Sequence, residues 1–279
     1  DAHLAQCLNY LKATGLKVNG FFATDYAGII EAQRFNKVQI AWYGNRSAMD
    51  AVDRAGGEVF AQFVDLDGTP GYYSYVITHK DSGITSLEQV LGNGKQYSFG
   101  IGDPASTSGT LVPTYYVFTM NKLDPRTHFK VVRSSNHEGN FLAVLNRQVD
   151  VATSNSEMTE KVREKNPERI EQIRILWKSP LIPRDPLVWR KDLPADVKKK
   201  VQDFVVGYGK DAREKEVLKN MYRLAGFKPS TDAQLIPIRQ LELAKDRQKL
   251  VDDANLSEAD RNARIAEIDA KLAVLARRM

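Results

Sequence analysis

From Lys17 to Arg190 the chain keeps changing period. Short apolar runs of the kind that make buried strands alternate with stretches whose apolar residues recur every three or four positions. That alternation restricts the chain to an α/β fold. Ala2 to Thr14 has helical period, and Lys17 to Ala23 reads as a strand. Helix Tyr26 to Phe35, strand Val38 to Tyr43, helix Arg46 to Ala55 and strand Glu58 to Val64 follow. A turn-rich stretch from Asp65 to Gly71 leads into a long alternating strand, Tyr72 to His79. A sheet of this type opens with a strand, whereas this chain opens with a helix. An initial strand is therefore expected to be missing from it.

A second block, residues 81–180, repeats the pattern: helix Ser86 to Leu91, strand Tyr97 to Ile101, an apolar helix, and strand Phe129 to Arg133. Helix His137 to Asn146, strand Val149 to Thr153, helix Glu157 to Lys165 and strand Ile173 to Trp177 complete it. Pro180, Pro183 and Pro186 mark a return crossing before Leu187-Val-Trp-Arg190. From Ala195 onward only helices are expected: Asp196 to Tyr208, Ala212 to Leu224, Leu235 to Asp252 and Ser257 to Arg278. The expected organisation is residues 1–80 as the first part of one lobe, 81–180 as a second lobe, and 181–279 as the return to lobe one plus C-terminal helices. Ser257 with Glu258 and Asp260 reads as the cap of the last helix. Ile265, Ile268, Leu272 and Leu275 form an apolar seam on it, to be packed on the chain's own body or on a partner such as a second copy of the chain.

Composition narrows the classes. With 279 residues, 42% of them hydrophobic, the chain can bury a substantial core. No run of roughly eighteen apolar residues offers a membrane span, and no secretory signal precedes Asp1, as expected of a processed, exported protein. The net charge of +5 comes from basic residues interleaved with acids, as from Glu160 to Glu171, which excludes a dense nucleic-acid stripe. Cys7 is the sole cysteine and reads as a buried or idle thiol. His3, His79, His128 and His137 lack ligand spacing, so neither a metal site nor a cofactor is expected.

The segment Tyr97-Ser-Phe-Gly-Ile-Gly-Asp-Pro-Ala-Ser-Thr-Ser-Gly-Thr-Leu-Val-Pro-Thr-Tyr-Tyr-Val-Phe118 reads as a buried strand, a polar turn and an apolar helix. Ser106, Thr107 and Ser108 stand where that helix begins. The first helical N–H groups lack internal partners, and the helix dipole places positive potential there. Three hydroxyls beside them make a cradle for a tetrahedral oxyanion. One of the three has the ordinary alternative of capping the helix.

Several segments together carry a family resemblance. They include Asp25-Tyr-Ala-Gly-Ile-Ile30, Arg34-Phe-Asn-Lys37, Ile40-Ala-Trp-Tyr-Gly44 and Gly71-Tyr72. Others are Gly102-Asp-Pro, Ser106-Thr-Ser-Gly109, Leu111-Val-Pro113, Asn136-His-Glu138, Gln148-Val-Asp-Val-Ala-Thr153, Trp177-Lys-Ser-Pro-Leu-Ile-Pro183, Asp185-Pro186 and Val188-Trp-Arg190. On these the chain resembles the periplasmic phosphonate-binding proteins of ABC importers, relatives of phosphite and phosphate-ester binders. The resemblance implies a two-lobed α/β fold of the periplasmic-binding-protein type 2 architecture, with a helical C-terminal extension. It implies a periplasmic location and a membrane permease as partner.

Carried over by position, the resemblance implies that Ser106, Thr107, Ser108, Tyr26, Tyr72 and His137 contact the phosphonate. Glu157 and Asp185 would then meet the amino group of an aminoalkylphosphonate, 2-aminoethylphosphonate first among them. Hydroxyls and N–H groups suit such an anion, and His137 adds a donor and, when protonated, a charge. Taken singly, a half-buried tyrosine, a first-turn acid such as Glu157 or an acid between prolines such as Asp185 needs no function. Phosphite, a phosphate ester and a sulfonate stay open as ligands. Ser106 or Ser108 with His137 and Asp185 also has the residue types of a hydrolase triad, but Ala105-Ser-Thr-Ser-Gly109 lacks the first glycine of the nucleophile elbow. No catalytic step is expected.

Overall fold

The structure, a computed structural model, describes Lys12 and residues 14–278. The expected first helix, Cys7 and His3 lie at or within the segment outside the described residues. The chain divides into two compact units: residues 1–72 with 183–235, and residues 73–182 with 236–279.

The first unit is built on a four-stranded antiparallel sheet, in the order Ile40–Trp42, Pro186–Arg190, Gly57–Asp65, Leu224–Pro229. Gly57–Asp65 is buried along most of its length, and Phe60 stacks on Trp189 at 4.1 Å. Burying a side chain as large as Phe60 contributes about 1.5–3 kcal/mol. Val201 and Val205, from helix Ala195–Gly207, close this cluster. Helix Asn45–Arg54 turns Ala48, Met49 and Ala51 inward, while Asp50 bridges Arg46 at 2.6 Å and Arg54 at 3.0 Å on its other side.

The second unit holds a five-stranded mixed sheet, in the order Val131–Ser134, Ser98–Ile101, Val151–Asn155, Ser74–His79, Ile173–Lys178. The first three strands run parallel, and the last two complete the sheet by antiparallel pairing. Phe99 anchors the core, stacked on Phe129 at 4.4 Å and edge-on to Phe118 at 5.3 Å. Every residue of Val151–Asn155 is buried, as a central strand requires.

Several expectations are corrected. Lys17 to Ala23 forms no strand; Phe21 is 50% and Phe22 70% exposed, and no described strand pairs with this stretch. The run from Tyr72 to His79 is two strands, Gly71–Tyr72 and Ser74–His79, which pair in different sheets, and the unit boundary falls between Tyr72 and Tyr73 rather than at residue 80. The region after Ala195 is not purely helical. Leu224–Pro229 pairs with the open edge of Gly57–Asp65, after Arg223 ends helix Ala212–Tyr222 in the left-handed region at φ 56°. That strand exists by tertiary pairing, which its Gly226 and Pro229 conceal locally.

The C-terminal helices Ile236–Asp252 and Glu258–Ala276, which the sequence reading assigned to neither lobe, belong with the second unit. Ser257 caps the last helix, its Oγ accepting from Asp260 N–H at 3.1 Å. Ile265, Ile268, Leu272 and Leu275 are half-buried in that helix, which packs along Ile236–Asp252. Arg247 clasps Asp269 across the pair with bonds of 2.7 and 3.2 Å.

Candidate functional site

Parallel strands fix where the second unit can gather function. Ser98–Ile101, Val131–Ser134 and Val151–Asn155 end at one edge of the sheet, and each leads to the start of a helical segment. The segments begin at Thr107, His137 and Ser156. The C-terminal edge of parallel strands is where α/β folds place ligands, because helix N-termini converge there.

The cradle itself departs from the expected α-helix. Ser106 is its N-cap, with Oγ accepting from Gly109 N–H at 3.0 Å, and Thr107–Leu111 and Thr114–Phe118 wind as wide π-turns. Leu111 N–H reaches back to the Ser106 carbonyl at 3.1 Å. Pro113 has no N–H to give the Gly109 carbonyl, so that oxygen is released from the helical ladder. It accepts instead from Gly102 N–H at 2.9 Å and Thr153 Oγ1 at 2.8 Å. The approach is tight enough that a Cβ on Gly102 would lie 2.6 Å from Gly109 Cα. Glycine is needed at both positions for the turn to sit on the strand.

Ser106, Thr107 and Ser108 are each only 2% exposed. Ser74 Oγ donates to the Ser108 carbonyl at 2.6 Å, and Asn155 Nδ2 donates to Ser108 Oγ at 3.1 Å. His137 begins helix His137–Leu145 behind its cap Asn136, and its Nε2 lies 3.4 Å from Ser106 Oγ. Burial pushes its pKa down to about 4, against the opposing pull of the Asp103 carboxylate. At neutral pH the ring is therefore uncharged, so of the donor and the conditional charge that the sequence offered, only the donor is supported. Its Nδ1 is buried with no hydrogen-bond partner.

Glu157 lies in the first turn of helix Ser156–Lys165, half-buried, where the dipole favours an acid. The cap of that helix is Asn155, the same residue that reaches Ser108. The second unit thus brings the cradle, His137 and Glu157 to one edge.

The first unit brings Tyr72 and Asp185 together. Asp185 is 8% exposed at the entry of Pro186–Arg190, and its carbonyl accepts from Phe63 N–H at 3.1 Å. Trp42 Nε1 donates to Asp185 Oδ2 at 2.9 Å, and the Tyr72 hydroxyl also bonds this carboxylate. Burial nevertheless outweighs both bonds and the neighbouring Arg184, pushing the Asp185 pKa up to about 6. Arg184 is itself buried and ion-paired with Asp65. Asp185 is no ordinary turn acid: it is a carboxylate held in a costly environment. Tyr26 opens helix Tyr26–Arg34, half-buried, behind Asp25, whose Oδ1 accepts from Gly28 N–H at 2.6 Å.

Sequence reasoning missed Asn155, Ser74, Thr153 and Trp42. Asn155 was signalled by its place between a strand and a helix start; the others had no local mark. His79 Nδ1 accepts from Asp81 N–H at 3.2 Å, and His128 Nε2 lies 3.1 Å from the Val90 carbonyl, so both serve the fold. Among the described residues no group of three or more His, Cys, Asp or Glu side chains is placed to hold a metal ion.

Two α/β units linked by three chain crossings, with helix starts gathered at one sheet edge of the second, make an architecture suited to binding a small anion. The comparisons carry the assignment further. Residues 2–235 match the family described as the periplasmic phosphonate substrate-binding protein of ABC transporters. The chain is 52% identical over 261 residues to the phosphonates-binding periplasmic protein of Escherichia coli K12, covering 94% of this chain and 77% of that one. The crystal structure of a binding-protein component of an ABC phosphonate transporter from Pseudomonas aeruginosa superposes with a TM-score of 0.96 at 50% identity, covering 100% of this chain and 92% of that one. A methylphosphonate-bound protein from Prochlorococcus marinus shares the fold, with a TM-score of 0.76 at 21% identity over 86% of this chain and 91% of that one. The chain belongs to the phosphonate-binding family of periplasmic substrate-binding proteins of ABC transporters. Members of this kind bind a transporter's substrate and are not enzymes, which sets aside the hydrolase reading of Ser106, Ser108, His137 and Asp185.

Proposed function

We propose that this protein captures 2-aminoethylphosphonate in the periplasm by hinge closure and presents it to the membrane permease of an ABC importer. In this reading Ser106, Thr107, Ser108, His137, Tyr26 and Tyr72 hold the phosphonate. Glu157 and Asp185 take the ammonium group. The observation that supports this reading is the buried hydroxyl cradle of Ser106, Thr107 and Ser108, with the uncharged ring of His137 3.4 Å from Ser106 Oγ. A charge-assisted hydrogen bond contributes ~1.5–3 kcal/mol net, so roughly four or five of them support about micromolar affinity after ordering costs. Asp185 is the source of ligand selectivity: an ammonium group offsets its desolvation, and a methyl group leaves that cost in place.

Thermal unfolding with a ligand panel tests the reading. 2-Aminoethylphosphonate is expected to raise the melting temperature most, methylphosphonate less, and phosphate, phosphite and a sulfonate least. A larger shift with any of the last three would overturn the choice of ligand.

A further inference from the structure

We propose that Asn155 is a positioning residue of the phosphonate site: it holds the Ser108 hydroxyl with its proton turned outward as a donor, and ties that hydroxyl to the helix carrying Glu157. The inference rests on the reading of Ser106 to Ser108 as the phosphonate cradle.

Asn155 is buried, the last residue of its strand and the N-cap of the next helix. Its Oδ1 accepts from Met158 N–H at 2.8 Å. That bond settles which way the amide faces, since the reverse orientation would set an NH2 group against an N–H. Nδ2 must then face Ser108 Oγ, 3.1 Å away. An amide nitrogen only donates, so Ser108 Oγ is the acceptor in this bond and its own proton points elsewhere. The Ser108 carbonyl is already engaged by Ser74 Oγ at 2.6 Å. Ser106 follows the same logic, its Oγ accepting from Gly109 N–H at 3.0 Å. A bound oxyanion presents acceptors, and a hydroxyl whose acceptor side is filled by a fixed donor is pre-oriented to meet one.

Asn155 goes further than Gly109, because one side chain serves both halves of the site. Its oxygen fixes the start of the Glu157 helix and its nitrogen fixes Ser108. An aspartate there would cap the helix equally well. It would, however, accept the Ser108 proton and turn it away from the ligand.

The test is calorimetric titration with methylphosphonate, which lacks the amine and so reads the cradle alone, on Asn155→Ser, Asn155→Asp, Ser108→Ala and the double variant Ser108→Ala/Asn155→Ser. Serine and aspartate both retain a capping oxygen, so melting temperatures should stay close to the parent's. Asn155→Ser is expected to weaken methylphosphonate by about 5-fold or more and Asn155→Asp by about 10-fold or more. In the Ser108→Ala background the further loss from Asn155→Ser should nearly vanish, a coupling that a merely structural role would not produce. Parent-like affinity in both Asn155 variants, or an undiminished loss in the Ser108→Ala background, would overturn the role of Asn155 alone. A parent protein that binds no phosphonate would overturn the cradle reading, and the proposal with it.

Discussion

The indole N–H of Trp42 meets Oδ2 of Asp185 at 2.9 Å, joining the last residue of one edge strand to the residue that precedes its partner strand. Trp42 pairs with Leu187 in the sheet, so the bond follows from strand register. Its ring is held edge-on by Phe63 and Tyr222, each at 4.8 Å. Trp42→Phe keeps much of that packing and removes the donor. Asp185 should then titrate above its present value of about 6. Affinity for 2-aminoethylphosphonate at pH 7 should fall by about 10-fold, read by calorimetry, with methylphosphonate changed much less. Equal losses for both ligands would show that Trp42 shapes the phosphonate end.

Asp185→Asn should stabilise the unliganded protein while reducing its selectivity. A carboxyl whose folded pKa is raised, here from 3.8 to about 6, contributes stability that is fully present below pH 3.8 and lost as pH rises through 6. The amide removes that loss. The variant's melting temperature should therefore exceed the parent's at pH 7.5, with the gap narrowing at pH 5. A lower melting temperature at pH 7.5 would mean that ionised Asp185 is a net structural asset.

His137 works in the opposite sense. Its folded pKa is lowered from 6.5 to about 4, so its contribution is fully present above pH 6.5 and lost as pH falls through 4. His137→Gln keeps an uncharged donor and cannot titrate. Unfolding curves between pH 7 and 4 should show a shallower acid-side decline for the variant than for the parent, and an unchanged slope would contradict the neutral, buried ring.

Gly109→Ala should damage the cradle directly. The new Cβ would lie 2.9 Å from Ser106 Oγ, 3.0 Å from Gly102 Cα and 3.1 Å from His137 Cε1. Overpacking of this kind costs about 1–3 kcal/mol. Phosphonate affinity should drop by at least roughly 10-fold, because the displaced atoms include two proposed ligand contacts. Calorimetry alongside a melting curve checks both effects.

Much of this was readable in the chain. The alternation of periods marks the α/β class, and the hydroxyl triplet after Gly102-Asp-Pro marks a helical start capped by Ser106, because both depend on local pattern. Three features resisted reading for physical reasons. The π-turns follow from Pro113 and from the strand donors that hold the Gly109 carbonyl, and those donors are distant in sequence. Leu224–Pro229 becomes a strand only because Gly57–Asp65 offers it an edge. The raised pKa of Asp185 comes from burial, which two flanking residues such as Arg184 and Pro186 do not announce.

Calorimetric titration of the parent protein with 2-aminoethylphosphonate and methylphosphonate, repeated on Glu157→Gln and Asp185→Asn, bears most directly on the claim that a phosphonate cradle and an ammonium clamp act together. The account predicts that the parent favours the amino compound by about 10-fold or more and that each variant erases much of that preference while keeping methylphosphonate affinity. A parent that binds methylphosphonate as tightly as the amino compound, or variants that keep the preference, would contradict it.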